Sequence, residues 1–190
     1  YYNICKYVHL PVQSGNSRVL EMMNRTYNRE WYLDRIAAVR KIVPDAAIST
    51  DIITGFCSET EEEHQDTMSL MEEVKYDLAY MFFYSERPGT LAAKKYKDDV
   101  PEEVKKRRLQ EVVDLHRRDS LVLNKQSVGN TYEVLVEGHS HRSDKDLCGR
   151  TSQNKMVVFP KGDIKIGEYV MAKITSCTAG TLIGEVESTK

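Results

Sequence analysis

Residues 47–84 read AISTDIITGFCSETEEEHQDTMSLMEEVKYDLAYMFFY. Ala47 to Thr54 has the β-branched, apolar character of a strand and is closed by Gly55. Thr60 followed three residues later by Glu63 is a capping box, and Glu61 and Glu62 suit the positive end of a helix dipole. The helix they open runs to about Val74, with Met68 and Met71 on its inner face. Leu78 to Tyr84 (LAYMFFY) is almost continuously apolar, the pattern of a parallel strand buried on both faces. Strand, helix, strand with a crossover of this length implies parallel pairing in a right-handed unit.

The same alternation extends upstream. Ile4 to Leu10 is a short β-type run, and from Trp31 to Val43 the apolar residues Tyr32, Ile36, Val39 and Val43 recur at helical spacing until Pro44 stops the helix. Three parallel strands alone leave an open edge and uncovered apolar faces, so they are expected to be part of a larger α/β barrel or sheet. Downstream, Pro101 opens a long charged helix to about Gln126. The period then changes. Thr131 to Glu137, Met156 to Phe159, Tyr169 to Thr175 and Leu182 to Val186 read as short strands separated by Gly, Asp, Lys and Ser, which predicts a small antiparallel β-barrel. The expected fold class is therefore α/β plus all-β, with residues 1–126 in the first domain and 127–190 in the second.

Composition narrows the function. Among 190 residues, 27 Lys+Arg oppose 29 Asp+Glu, and 41% of residues are apolar. That is the make-up of a folded soluble chain, with no run approaching the roughly 18 apolar residues of a membrane span. Residues 127–190 hold 8 basic and 8 acidic side chains, so any contact with RNA must come from a local patch. Cys5, Cys57, Cys148 and Cys177 lie far apart with no C-x-x-C spacing, which reads as free thiols in a reducing cytosol. His139 and His141 flank Ser140 without a third ligand nearby in sequence, and read as solvent-exposed. Tyr1-Tyr2-Asn3 opens the chain without Met, which reads as a piece of a longer protein.

In a parallel α/β structure the ligand face lies at the carboxyl ends of the strands. The three strands run into HLPVQSG (His9 to Gly15), DIITGF (Asp51 to Phe56) and YSERPGT (Tyr84 to Thr90), which would bring Gln13, Ser14, Asp51, Ser85 and Arg87 toward one mouth. Asp and Gln suit a pair of ribose hydroxyls, and Arg suits a carboxylate or phosphate. The same residues equally serve as turn and cap residues with no ligand.

The strings in order are HLPVQSG, then Leu20-Glu21-Met22-Met23-Asn24-Arg25-Thr26-Tyr27, then DIITGF-x-x-ET, then YSERPGT-x-A. They resemble the radical S-adenosylmethionine methylthiotransferases, most closely the MiaB type, which adds a methylthio group to isopentenyl-adenosine beside the tRNA anticodon. VLVEG (Val134 to Gly138) and GRTSQNKMVVF (Gly149 to Phe159) resemble that family's TRAM domain, an RNA-binding β-barrel. The resemblance implies a partial radical-SAM, TIM-like barrel followed by an OB-like barrel. It implies Gln13 and Asp51 toward the ribose hydroxyls of S-adenosylmethionine and Arg25 toward its methionyl carboxylate, with Ser14 among the cofactor-binding residues. The stretch around Ile53, Gly55 and Phe56 would pack on the adenine, with Gly55 allowing close approach. Arg142, Lys145, Arg150, Lys155 and Lys161 fall in or beside the loops and strands of the small barrel, and the TRAM resemblance favours RNA contacts from them over a solvated mixed-charge surface; Phe159 and Tyr132 suit base stacking and core packing equally.

Two departures stand out. The family usually reads GFPGET where this chain has GFCSET (residues 55–60), which is expected to loosen that turn and brings the Cys57 thiol near the cofactor face. The family's two four-iron clusters use cysteine ligands, one set spaced C-x-x-x-C-x-x-C, that residues 1–190 do not contain. They are expected in upstream domains of the same polypeptide, leaving this piece inactive alone. The full enzyme would then generate a 5′-deoxyadenosyl radical that takes hydrogen from carbon 2 of the adenine. Its partner would be the tRNA anticodon stem–loop, in the cytoplasm and without a membrane. A methylthiotransferase acting on a ribosomal-protein aspartate, or a non-catalytic RNA-binding module, are the competing readings.

Overall fold

In the computed structural model, which describes residues 4–189, strands β1 (Tyr7–His9), β2 (Ala47–Thr54) and β3 (Leu78–Phe83) form a sheet in the order β1-β2-β3. β2 and β3 run parallel from Ser49↔Leu78 to Thr54↔Phe83, and a parallel bridge from Gln13 to Ile52 extends the alignment past β1. Helices α1 (Ser17–Met22), α2 (Arg29–Ile42), α3 (Glu61–Val74), α4 (Leu91–Lys95) and α5 (Glu102–Lys125) complete the first two-thirds.

Local chemistry sets where the helices start. Asn28 caps α2 by accepting from the Trp31 amide, and Arg40 and Lys41 occupy its last turn. α3 begins with the expected reciprocal capping box of Thr60 and Glu63. The core that joins sheet to helices contains Val12, Tyr32, Ile36, Ile48, Ile52, Leu70, Met71, Val74, Tyr76, Val112 and Leu115. Each such side chain contributes about 1.5–3 kcal/mol on burial. Two buried tyrosines satisfy each other: Tyr76 donates to Tyr32 at 3.0 Å, and Tyr32 donates to the Leu10 carbonyl at 2.8 Å.

β3 differs from the sequence expectation. Its residues alternate instead of being buried on both sides, leaving Tyr80 47% and Phe82 55% exposed. One face of the sheet thus packs on helices, and the other is bare where Tyr80 and Phe82 lie. The short helices α1 and α4 also go beyond the sequence expectation; each is about one or two turns, below the length at which periodicity is readable.

The second unit is a closed barrel of β4 (Thr131–Ser140), β5 (Ser143–Thr151), β6 (Met156–Pro160), β7 (Tyr169–Cys177) and β8 (Leu182–Thr189), in the order β4-β5-β6-β8-β7. Closure leaves no free edge. Two details depart from expectation. β5 is absent from the sequence reading because SDKDLCGRT looks turn-like, yet it pairs with both β4 and β6. β6 and β8 pair parallel, so the barrel is mixed. Gly149 permits the β4–β5 approach, since a Cβ there would collide with the Leu135 carbonyl oxygen. Phe159 is buried in the barrel core with Val134, Leu147, Val170 and Ile174, so it cannot stack a base; Tyr132 packs against the same core.

Val8–His116 form one compact unit, and the residues from Arg117 onward, with the segment that ends at Tyr7, form the other, so one division falls within α5. The expected boundary at residue 127 lies between the end of α5 and the start of β4. Among the described residues, no helix is long and apolar enough to cross a membrane.

Candidate functional site

Because β1, β2 and β3 are parallel neighbours, the segments following them all start from one end of the sheet. Register also sets what the bare face carries. Asp51 aligns with Tyr80 and Ile53 with Phe82, and aligned residues share a face. His9 joins them from β1: its Nδ1 lies 2.8 Å from Ser49 Oγ and its Nε2 3.6 Å from Asp51 Oδ1. Its ring meets Tyr80 edge-on at 6.0 Å. A carboxylate, an imidazole and two aromatic rings thus lie on open sheet surface.

Gln13 stands where β1 gives way to its loop. Its amide donates to the Asp51 carbonyl at 2.9 Å and its carbonyl accepts from the Ile53 amide at 2.9 Å. Its φ is +76°, a conformation that costs a non-glycine residue on the order of 1 kcal/mol. The residue is only 6% exposed, and its side-chain amide meets no hydrogen-bonding partner among the described residues. A strained backbone thus holds a nearly buried amide, without a partner among the described residues, beside Asp51.

Other expected site residues are placed differently. Ser14 is fully buried, with its hydroxyl 3.4 Å from Thr67 Oγ1 and accepting from the Asn16 amide, so it ties the loop down. Phe56 lies in a cluster with Val19 and Cys57, its ring edge-on to Tyr84 at 4.9 Å and to Tyr96 at 6.1 Å. It anchors the loop instead of facing outward. Gly55 has φ +67°, and the space a Cβ would take is filled by the Lys105 side chain. This close approach is made by the protein itself. Arg25 is exposed beyond the end of α1 and pairs with no carboxylate among the described residues; Ser85 and Arg87 are also exposed. Cys57 is buried, and burial pushes its thiol up, away from the reactive thiolate.

The GFCSET turn proves to be held from outside. Glu59 Oε1 accepts from the Gly55 amide at 2.8 Å, and Arg108 of α5 donates to both the carbonyl and Oε1 of Glu59. Ser58 takes φ +57° where the family pattern has Gly. Its amide donates to Asp99 at 2.7 Å, and Arg18 donates to its carbonyl at 2.9 Å while also forking onto Glu63. The expected loosening is therefore offset by side chains outside the turn. Ser58→Gly should stabilise the chain by about 0.5–1 kcal/mol, because glycine adopts this conformation without a Cβ penalty. Chemical denaturation reads that gain directly.

Glu61, His64 and Glu111 bring three metal-type ligand atoms within 4.8 Å of one another. Arg107 and Arg108 already occupy the carboxylates: hydrogen bonds from Arg107 and then Arg108 hold Glu61 at about 2. Burial keeps His64 below its ordinary value, as a neutral ring bonded to Glu111 at 2.8 Å. The trio is a charge-neutralised brace. It includes no thiolate, and all four cysteines are free. The residues present do not fit an iron–sulfur cluster.

In the barrel the expected RNA residues fall into two groups. Arg142 lies in the β4–β5 turn and Lys145 near the start of β5, beside Lys161, whose amide donates to the Lys145 carbonyl. Arg150 and Lys155 lie toward the other end of the β5–β6 hairpin. Lys145 and Arg150 are five residues apart on one strand, about 17 Å at roughly 3.3 Å per residue. Arg150 is also engaged, 3.2 Å from Glu137 and bonded to Asn154. Lys155 reaches Asn124 at 3.4 Å. Arg142, Lys145 and Lys161 are exposed and form no ion pair among the described residues.

Comparison with known proteins places these features. Residues 2–71 match the Radical SAM superfamily, and residues 125–186 match the TRAM domain. A protein of Amoebophilus asiaticus named tRNA-2-methylthio-N(6)-dimethylallyladenosine synthase is 62% identical over 98% of this chain. Proteins of the same name from Phocaeicola vulgatus and Bacteroides thetaiotaomicron are 58% and 57% identical over 96%. The chain spans only 38–40% of the length of these relatives. Among solved structures, coproporphyrinogen III oxidase (HemN) of Escherichia coli, a radical SAM enzyme, is similar with a TM-score of 0.52 over 88% of this chain and 41% of its own. At 17% identity that likeness speaks to fold alone.

Proposed function

Since the chain belongs to the radical S-adenosylmethionine methylthiotransferases of MiaB type, with a TRAM domain, we propose that it supplies one wall of the cofactor site and the RNA-holding module of a tRNA-modifying enzyme. The reaction is methylthiolation of carbon 2 of N-6-isopentenyladenosine next to the anticodon, in the cytoplasm. S-adenosylmethionine, when bound, supplies the adenosyl and methyl groups that the reaction consumes. The cysteines that ligate two four-iron clusters belong to upstream parts of the same polypeptide.

The observation that carries the reading is Gln13: strained, nearly buried, unpartnered, and bonded through its backbone to the residue that carries the other ribose-type ligand, Asp51. Gln can donate to one ribose hydroxyl while Asp accepts from both. The bare face beside them, with Tyr80 and Phe82, offers apolar surface to a purine. Arg25 is exposed and unpaired among the described residues, as a group that takes the methionyl carboxylate should be.

The barrel's part in this is to grip phosphates. Arg142 and Lys145 are its readier cations, because Arg150 already shares its charge with Glu137. Each phosphate that a variant no longer neutralises should lower the salt dependence of log K by about 0.7–0.9. Binding of an anticodon stem–loop to the full-length protein at several salt concentrations tests this. Arg142→Ala/Lys145→Ala should reduce the slope by about 1.4–1.8, and Arg150→Ala by less. Identical slopes in all three proteins would remove the barrel from the RNA interface. The enzymatic reading itself is tested by full-length protein reconstituted with iron and sulfide, supplied with isopentenyl-adenosine tRNA and followed by mass spectrometry of the nucleoside. No methylthio product with intact clusters would overturn it.

A further inference from the structure

His9 opens the HLPVQSG string, and neither the cofactor rim nor the RNA grip uses it. It lies between two residues of the neighbouring strand that face the same way: Nδ1 is 2.8 Å from Ser49 Oγ, and Nε2 is 3.6 Å from Asp51 Oδ1. Ser49 is fully buried, so its hydroxyl cannot swing to solvent, whereas His9 and Asp51 keep 39% and 30% of their side chains exposed. The Tyr80 ring, edge-on at 6.0 Å, flanks the imidazole from β3. A ring bounded by a fixed hydroxyl and an aromatic side chain has little freedom to turn. In the tautomer whose Nδ1 accepts from the Ser49 hydroxyl, the ring proton is on Nε2, the nitrogen nearer the carboxylate.

We propose that His9 is a positioning residue: fixed by Ser49, it engages one oxygen of Asp51 so that the other is presented to a ribose hydroxyl. The idea rests on the cofactor reading of Gln13 and Asp51 given above. It explains why a histidine sits on the open face of the sheet, where packing alone would be served by any apolar residue.

The test uses the full-length protein with its clusters assembled and S-adenosylhomocysteine as an unreactive probe, titrated by calorimetry. His9→Ala should weaken binding about three- to tenfold, the scale of one charge-assisted contact between partly exposed groups. His9→Gln, whose amide N–H can stand in for Nε2–H, should bind within about twofold of the parent. His9→Asn, too short to reach, should resemble His9→Ala. Equal loss in Gln and Asn variants would overturn the proposal, since a role in shape alone predicts no rescue. Parent-like binding by His9→Ala, with Asp51→Asn weakened, would also overturn it while leaving the rim reading intact. Unchanged binding by Asp51→Asn would instead sink the rim reading, and this proposal with it. Should His9→Ala lose its clusters, the Gln-against-Asn comparison still decides.

Discussion

Arg108→Ala should lower the melting temperature of the α/β unit by about 10–20 °C, from a loss of about 3–5 kcal/mol. Arg108 and Glu59 are 5% and 1% exposed as side chains, paired at 2.9 Å. Removing the guanidinium leaves a carboxylate out of water with only the Gly55 amide against it. Burial already pushes Glu59 up despite Arg108, and the variant should push it further. An acid whose folded value lies above its unfolded value loses stability as pH rises through the folded value. The deficit should therefore be larger at pH 8 than at pH 5. Arg108→Met/Glu59→Gln, which buries no charge, should recover part of the loss. Differential scanning calorimetry of the three proteins at both pH values checks each sign.

Gln13→Gly is expected to move stability and ligand affinity in opposite directions. Glycine relieves the φ of +76°, so folding should be unharmed or favoured by up to about 1 kcal/mol, after the added freedom of the unfolded chain is subtracted. The same change deletes the unpartnered amide, and affinity for S-adenosylhomocysteine should fall about tenfold. Asp51→Ala removes a charged acceptor and should cost about 10- to 100-fold. If Gln13→Gly destabilises the fold without altering affinity, the amide is a packing element and the cofactor reading fails. Calorimetric titration and urea denaturation of the same preparations supply both numbers.

Much of the first unit is legible in sequence because its signals are local. The Thr60–Glu63 box, the stop at Pro44 and the apolar run of β2 each depend on a few adjacent residues. That Gln13 and Asp51 come together at one end of the sheet is legible because parallel topology fixes where strand ends go. What escapes is non-local. Nothing within GFCSET announces that Lys105 fills the space beside Gly55 or that Arg108 reaches Glu59. Ser14 and Phe56 look ligand-facing from their place in a motif, and only packing against Thr67 and Tyr84 shows them as anchors. β5 escapes because its pairing, not its composition, makes it a strand. The basic residues separate into two groups because strand rise puts Lys145 and Arg150 apart, which their order in the chain does not reveal.

Lys105, Arg108 and Glu111 step along α5 at three-residue intervals, meeting in turn the space beside Gly55, the Glu59 carboxylate and His64. A splint of this kind moves the instructions for a bend out of the bend itself. The bend at Ser58 is thereby held by side chains outside it, and a substitution 49 residues from Glu59, at Arg108, acts as though it had been made in the turn. Any effort to tune this site by redesigning its visible rim would be working on the wrong segment; the handle is the rod behind it.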